Sequence, residues 1–164
     1  MTQDKYNGGA CMHYFAYDLN MNRERMEKRC PGARFLYPAH LSSCELIFDG
    51  SSPHRSGATV NIRPAPLGKV WGALFEISER ELLELDAYEG YPDTCLRTTV
   101  QVYDGTGASY EEVITYYRKG QAEGLPSYGY FNELLECARQ CHLPSFYIQR
   151  LTARVMKNGF AKPS

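Results

Sequence analysis

The stretch VWGALFEISERELLELDAYEGY, residues 70–91, decides the fold of this chain. It opens with an apolar run over residues 70–77, which is typical of a strand. Ser78 and Glu81 then form the S-x-x-E capping box that begins a helix, and Gly90 ends the helical spacing of apolar residues. The centre of the sequence therefore predicts a strand that leads directly into a short helix.

The residues before this stretch predict mainly strands. Residues 12–17 predict a first strand, which a polar turn connects to a short helix over residues 23–29. Turn-rich segments separate three further strand candidates, at residues 35–41, 44–48 and 58–62. The Gly-, Ser- and Pro-rich residues 49–57 lie between two of these candidates, so we interpret them as a loop.

The residues after this stretch predict one hairpin and two helices. Polar and apolar residues alternate over 98–102, and an Asp-Gly pair at 104–105 turns the chain toward a second strand over 113–117. Five apolar residues then share one helix face: Phe131, Leu134, Leu135, Ala138 and Cys141. Pro144 ends that helix, and Ser145 begins the last one. Because strands come first and helices gather late, the sequence predicts an α+β domain with a largely antiparallel, barrel-like sheet.

Composition and charge indicate a compact protein of one domain. Of the 164 residues, 43% are hydrophobic and 23% are charged, close to the globular average. The 18 Lys and Arg residues are balanced by 19 Asp and Glu residues, and no basic run could follow a phosphate backbone, so we expect no nucleic-acid partner. We divide the chain into a flexible N-terminal tail at 1–11, one domain at 12–155 and a C-terminal tail at 156–164.

The sequence also predicts a cytoplasmic location. The first nine residues are polar and lack the apolar core of a secretory signal. No apolar stretch approaches the ~20 residues that cross a bilayer as a helix, so we expect no membrane partner. The six cysteines form no C-x-x-C pair, and we expect them to be thiols that pack in the core. No signal for an oligomeric state is present.

Several kinds of site are excluded by missing motifs. The sequence contains no phosphate-binding loop, no dinucleotide-binding glycine pattern, no G-x-S-x-G elbow and no H-E-x-x-H. Cys137, Cys141 and His142 lie close together in sequence, but no fourth ligand follows at a usual spacing. We therefore predict that the protein binds no metal.

One carboxylate stands out at the end of the central helix. Glu89 lies between Tyr88 and Tyr91 and beside Gly90, where it could be partly desolvated. Desolvation raises the pKa of a carboxyl group toward the range useful for general acid and base catalysis. The alternative is that Glu89 is an ordinary surface residue at a helix end. We expect Asp86, three residues earlier, to face solvent or to bind nearby backbone.

Four stretches of the chain resemble, in the same order, one known family. YFAYDLNM at residues 14–21 resembles an opening F-A-Y-G-S-N-L, and residues 58–60 with 70–75 resemble two central strands. LDAYEGY at residues 85–91 resembles an L-D-x-Y-E-G-Y segment, and residues 130–144 resemble a late helix that ends in Leu-Pro. Together they resemble the γ-glutamylcyclotransferase-like family, which includes the γ-glutamylamine cyclotransferases and the AIG2-like proteins.

The resemblance implies a fold and a reaction. The fold would be a small mixed β-barrel with surrounding helices, and the reaction would cyclise a γ-glutamyl amine or peptide to 5-oxoproline without a cofactor. Glu89 would be the general acid and base. The resemblance places the small-molecule substrate against five further residues, Tyr17, Asp18, Leu19, Asn20 and Tyr130. Backbone N–H groups of the turn at residues 18–20 would stabilise charge on the carbonyl oxygen.

The chain also departs from the family pattern. Asp18 and Leu19 stand where the family has Gly-Ser, Cys137 stands where it usually has glycine, and a family tyrosine expected near residues 94–97 is absent. If Asp18 faces the pocket, its carboxylate would repel a substrate carboxylate. If Asp18 instead caps the helix that follows, its charge would help the fold.

Two other functions stay open at this point. A non-catalytic member of the same fold would keep the pocket and bind a small molecule without turnover. A structural domain would use some of the 13 tyrosines as an interface, although they are spread along the chain rather than gathered in one stripe. The presence of Glu89 favours the enzyme, because a binding pocket has no evident need for a desolvated, unpaired carboxyl group.

Overall fold

The computed structural model describes residues 10–163. These residues form five strands and four α-helices. The strands are β1 (Met12–Ala16), β2 (Arg34–Ser52), β3 (Gly57–Ile77), β4 (Leu96–Asp104) and β5 (Ser109–Tyr117). The helices are α1 (Arg23–Arg29), α2 (Glu79–Glu89), α3 (Tyr128–Gln140) and α4 (Ser145–Asn158), and a 3-10 helix (Leu19–Met21) follows β1.

The strands close into a barrel in the order β1-β3-β2-β4-β5. Neighbouring strands are antiparallel except β1 and β5, which run parallel and complete the closure. The prediction of an α+β fold with a small mixed barrel and surrounding helices is therefore confirmed. Closure pairs β1 with β5, so neither of these strands forms the free edge of an open sheet.

Two pairs of predicted strands are each one long strand in the structure: 35–41 with 44–48 in β2, and 58–62 with 70–77 in β3. The candidates at 35–41 and 44–48 both belong to β2, because a bulge at Ser43, with φ 59°, lets pairing with β3 continue beyond it. Opposite this bulge, a Cβ on Gly68 would overlap the Cys44 carbonyl, so the close approach of the two strands requires glycine. The predicted hairpin of β4 and β5 is present as expected.

The central strand and helix follow the sequence pattern closely. Ser78 accepts a hydrogen bond from the Glu81 backbone while the Glu81 side chain accepts one from the Ser78 backbone, which is the predicted capping box. Gly90 ends α2 in the left-handed region with φ 71°, where a residue with a Cβ would be strained. This turn fixes the position of Glu89, the last residue of the helix.

Helix α3 joins the barrel to the loop after β1. Its buried face consists of Tyr130, Phe131, Leu134, Leu135, Cys137 and Ala138. Cys141, at the C-terminal end of the helix, is fully buried and donates a hydrogen bond to the Met21 carbonyl over 2.9 Å. The 3-10 helix that carries Asn20 is therefore held from outside the barrel by α3.

The predicted C-terminal boundary at residue 155 falls inside α4, which continues to Asn158. Beyond the helix, the Phe160 ring packs against the rings of Tyr128 and Phe131 with centroids 5.3 and 5.9 Å apart. Apolar contacts of this kind extend the domain beyond the point at which a tail was predicted. Most of the N-terminal tail predicted at 1–11 lies outside the described residues.

The cysteines are mostly core residues. All six are free thiols; Cys30, Cys95, Cys137 and Cys141 are buried, Cys44 is partly buried and Cys11 is exposed. Core packing thus describes four of them and is wrong for Cys11. Among residues 10–163, none of the helices has the length and apolar composition of a membrane span.

Candidate active site

Glu89 lies in a small pocket at one end of the barrel. The pocket is lined by Tyr14, Phe15, Tyr17, Asp18, Val60, Glu89, Cys95, Tyr116, Tyr117 and Arg118. Its free volume is about 20 Å³, enough for about one water molecule. Any larger ligand must displace wall side chains as it enters.

Asn20 holds the Glu89 carboxylate. Its Nδ2 atom donates to Glu89 Oε1 over 2.8 Å and to the Tyr14 hydroxyl over 3.0 Å, while its Oδ1 atom accepts a hydrogen bond from Arg29. Asn20 is 2% exposed, so these partners fix the orientation of its amide. The amide in turn fixes one oxygen of Glu89.

Asp18 both caps the helix that follows and faces the pocket, so the two alternatives considered from sequence are both present. Its Oδ1 atom accepts a hydrogen bond from the Asn20 backbone N–H over 2.8 Å, which caps the 3-10 helix. Asp18 also lines the Glu89 pocket. Asn20 therefore binds both carboxylates, Asp18 through its main chain and Glu89 through its side chain.

Cys95 contacts the other oxygen of Glu89. The Cys95 thiol donates to Glu89 Oε2 over 3.7 Å, a usual length for a weak sulfur hydrogen bond. Burial and, to a lesser extent, the Glu89 charge raise the pKa of Cys95 to about 12. Cys95 is therefore a neutral donor near pH 7 and adds no charge beside Glu89.

The pKa of Glu89 is raised to about 8. The largest cause is desolvation by burial, and the second is the nearby charge of Asp18. The Arg29 charge and the hydrogen bonds from Cys95 and Asn20 oppose the rise. Burial also raises the pKa of Asp18 itself. Glu89 can therefore exchange a proton near neutral pH, which an ordinary surface glutamate cannot.

Asp86 lies one helical turn before Glu89. It was expected to face solvent or to bind nearby backbone, and instead it is mostly buried and binds side chains. It forms an ion pair with Arg97 and accepts a hydrogen bond from the Tyr116 hydroxyl over 2.6 Å. The Tyr116 carbonyl in turn accepts a hydrogen bond from the Tyr17 hydroxyl over 2.7 Å. Asp86 thus supports the pocket wall through Tyr116 rather than entering the pocket.

The other predicted substrate residues lie at different distances from the pocket. Tyr17 lines it, with its hydroxyl already bonded to the backbone. Leu19 is buried in the hydrophobic core and does not line it. The Tyr130 hydroxyl accepts a hydrogen bond from the Val60 backbone N–H over 3.0 Å, so this tyrosine supports the wall from behind. The Asn20 backbone N–H, predicted to be free for a substrate oxygen, is bonded to Asp18.

Sequence reasoning missed Tyr14, Cys95 and Arg118. Arg118 lines the pocket and forms an ion pair with Asp49, which is fully buried. Residue 49 lies on β2 and residue 118 directly follows β5, far apart in sequence, so no local spacing could have paired them. The only available signal was a charged residue at the end of an apolar strand.

Within residues 10–163, no cluster of three or more His, Cys, Asp or Glu side chains is arranged to hold a metal ion. The Cys141 thiol, one of the candidate ligands, is bonded to the Met21 carbonyl. Burial raises the pKa values of both Cys137 and Cys141 to about 11. A cysteine binds a metal ion as the thiolate, so this environment disfavours metal binding by either cysteine.

The fold and the site define a class of protein. It is a closed mixed barrel in which one partly buried glutamate, at the end of the helix after β3, is held by an asparagine from the loop after β1. The chain belongs to the AIG2-like family, whose family model matches residues 69–151. This confirms the resemblance seen in the sequence.

Individual relatives support the same placement. A human protein named gamma-glutamylcyclotransferase is 28% identical over 146 residues, which cover 85% of this chain and 77% of the relative. A solved structure named gamma-glutamyl cyclotransferase has a TM-score of 0.83 at 25% identity, covering 94% of this chain and 90% of that one. A yeast gamma-glutamyl cyclotransferase specific to glutathione has a TM-score of 0.59, with 91% of this chain and 99% of that one covered. At 12% identity it supports the fold alone.

Proposed function

We propose that this protein is a γ-glutamylcyclotransferase in which Glu89 is the general acid and base. The observation that carries the proposal is the proton-exchanging carboxylate of Glu89, with a pKa of about 8, held by Asn20 over 2.8 Å inside a pocket. The similarity to proteins named gamma-glutamylcyclotransferase supplies the reaction class.

The proposed reaction is an intramolecular transfer. The α-amine of a γ-glutamyl group attacks its own γ-carbonyl carbon, and the new C–N bond closes a five-membered ring. Glu89 accepts the proton that the amine loses and delivers it to the leaving nitrogen as the original amide C–N bond breaks. The products are 5-oxoproline and the free amine, so atoms and charges balance without water, oxidant or reductant.

Such a reaction asks little of the protein beyond folding the substrate and moving one proton. Holding the two reacting groups of one molecule in a near-attack geometry can supply a large part of the rate acceleration. A base is most effective when its pKa lies near the working pH, and Glu89 meets that condition. We therefore propose a reaction that needs neither metal nor cofactor.

A panel of small amides tests the function. We expect the purified protein to release 5-oxoproline from at least one γ-glutamyl dipeptide or γ-glutamyl amine, measured by mass spectrometry, with an equal amount of free amine. Turnover should persist after exhaustive chelation. Heat-denatured protein gives the background of spontaneous cyclisation. Absence of 5-oxoproline above that background across the panel would contradict the proposal.

A specific observation also favours the second function, binding without turnover. The Asp18 carboxylate takes the Asn20 N–H that a substrate oxygen would otherwise use, and the free volume beside it is only about 20 Å³. A binding protein would bind a γ-glutamyl compound in calorimetry and release no 5-oxoproline. The same panel therefore separates the two functions.

A further inference from the structure

We propose that Arg118 binds the α-carboxylate of the γ-glutamyl group, so that the protein acts on substrates in which this carboxylate is free. The inference rests on the proposed function and adds to it the substrate feature that the pocket selects. Four observations support it, and they concern the position, the anchoring, the free donors and the charge of this guanidinium.

Arg118 lies where a substrate group could contact it. It is the residue after β5 and lines the same pocket as Glu89 and Asp18. Of the described residues that line this pocket, Arg118 is the only one with a cationic side chain. The pocket therefore combines two carboxyl groups with one guanidinium.

Buried partners anchor the Arg118 side chain. Nη2 donates to Asp49 Oδ1 over 2.6 Å, to the Val60 carbonyl over 3.0 Å and to the Thr59 carbonyl over 3.2 Å. Asn61 accepts from the Arg118 backbone N–H over 3.0 Å and donates to Asp49 Oδ2 over 2.8 Å. Asp49 is fully buried, so the guanidinium cannot turn away without leaving a buried charge unpaired.

The anchoring uses only one of the three guanidinium nitrogens. An arginine has five N–H donors, and the hydrogen bonds of this guanidinium to residues 10–163 all use Nη2. Nε and Nη1 are then left for a ligand, and the arginine side chain keeps 21% of its surface exposed. A pre-oriented guanidinium with free donors suits a carboxylate, which it can bind by a charge-assisted hydrogen bond from Nε or Nη1.

The charges of the pocket complement the charges of the substrate. A γ-glutamyl group with free α-amine and free α-carboxylate carries a positive and a negative charge on one carbon. Asp18 and the deprotonated form of Glu89 offer the negative side of the pocket, and Arg118 offers the positive side. Repulsion between Asp18 and the substrate carboxylate, expected from sequence alone, is offset if the carboxylate lies against Arg118 instead.

The test compares two ligands that differ only in this carboxylate. The probes are L-glutamic acid γ-methylamide and the same compound with its α-carboxylate converted to a carboxamide. Binding is measured by calorimetry, and turnover is measured by 5-oxoproline or its amide. In the unmodified protein we expect the carboxylate to bind about 10- to 100-fold more tightly, the range for hydrogen bonds to a charged group.

Three variants assign the preference to a residue. Asp49→Asn with Arg118→Met removes both charges, so that no buried carboxylate is left unpaired, and should reduce the preference to within about threefold. Arg118→Lys keeps a cation beside Asp49 but loses the Nε and Nη1 donors, and should weaken the preference if the double variant does not fold. Arg63→Met is the matched control, because Arg63 pairs only with Glu45 and Glu123 among the described residues, and should keep the full preference.

The outcomes separate this inference from the proposed function. Equal binding of the two probes, binding of neither, or a preference that survives loss of Arg118 would overturn the role of Arg118. Turnover with no Arg118-dependent preference would overturn it while leaving the proposed function intact. An Arg118-dependent preference in binding, without 5-oxoproline release from the carboxylate probe, would support Arg118 and contradict the proposed function.

Discussion

Two carboxylates at the end of α2, Asp86 and Glu89, lie one helical turn apart and have opposite surroundings. Asp86 meets a cation, Arg97, and a phenol hydroxyl, Tyr116. Glu89 meets an amide from Asn20 and a neutral thiol from Cys95, and its hydrogen-bond partners include no cation. The same helix thus presents one carboxylate that is neutralised and one that is not.

The difference shows how two carboxylates on one helix can have different roles, one structural and one in proton transfer. An ion-paired carboxylate that also accepts a hydrogen bond can fix neighbouring side chains. A desolvated carboxylate with neutral partners binds its proton more tightly and can exchange it near neutral pH, as Glu89 does with a pKa of about 8. We infer that Asp86 stabilises the structure and that Glu89 exchanges the proton. Substitutions can test these two roles.

The largest expected effect is on turnover at Glu89. Glu89→Gln keeps the size of the side chain and its acceptor for Asn20 but cannot cycle a proton. We expect kcat to fall by about 10²- to 10⁴-fold, the usual contribution of general acid and base catalysis. Initial rates of 5-oxoproline release measure the fall.

The matched control for this variant is Glu84→Gln, an exposed glutamate on the same helix. It removes the same charge without touching the pocket, so its kcat should equal that of the unmodified protein. A Glu89→Gln protein that retains turnover within a few-fold would show that Glu89 is not the acid or base.

The next largest effect is on stability at Asp86. Asp86→Asn keeps an acceptor for Tyr116 but leaves Arg97 without its carboxylate, and we expect a loss of about 1–3 kcal/mol in the free energy of unfolding. Urea denaturation measures this loss. Glu136→Gln, which breaks an exposed pair with Arg139, should cost no more than about 1 kcal/mol. If Asp86→Asn costs as little as the control, Asp86 is not a structural anchor.

A smaller effect concerns the dependence of stability on pH. The folded-state pKa of Glu89, about 8, lies above the ordinary carboxyl value of 4.5, so the folded protein holds this proton more tightly than the unfolded chain. The stability that the proton contributes is complete below about pH 4.5 and is lost as the pH rises toward 8.

This loss predicts a pH-dependent difference between two proteins. Glu89→Gln cannot titrate at this position, so its Tm should match that of the unmodified protein near pH 4.5 and exceed it increasingly toward pH 8. Thermal denaturation at several pH values measures the difference between the two proteins. A Tm difference that stays constant over this range would mean that the Glu89 pKa is not raised.

The sequence predicted local features better than long-range ones. The capping box of Ser78 and Glu81 and the turn at Gly90 are local, and both were correct. The partners of Asp86 and of Arg118 come from other strands, and their pairing depends on barrel closure, which no spacing along the chain encodes. Cys95 is only six residues from Glu89, but its contact with the carboxylate depends on the path of the turn between α2 and β4, which the sequence pattern did not predict.

The smallest expected effects are at Asp18. Two substitutions can separate the effect of its charge from that of its capping hydrogen bond. Asp18→Asn keeps an oxygen that can accept the Asn20 N–H but removes the charge, which is the second cause of the raised Glu89 pKa. The midpoint of the pH dependence of kcat/KM should therefore move to lower pH, with stability nearly unchanged. Asp18→Gly removes the cap as well and should also cost a few tenths of a kcal/mol. A midpoint that moves in neither variant would mean that the Asp18 charge does not reach Glu89, and the neutral partners of Glu89 would then have to account for its proton affinity alone.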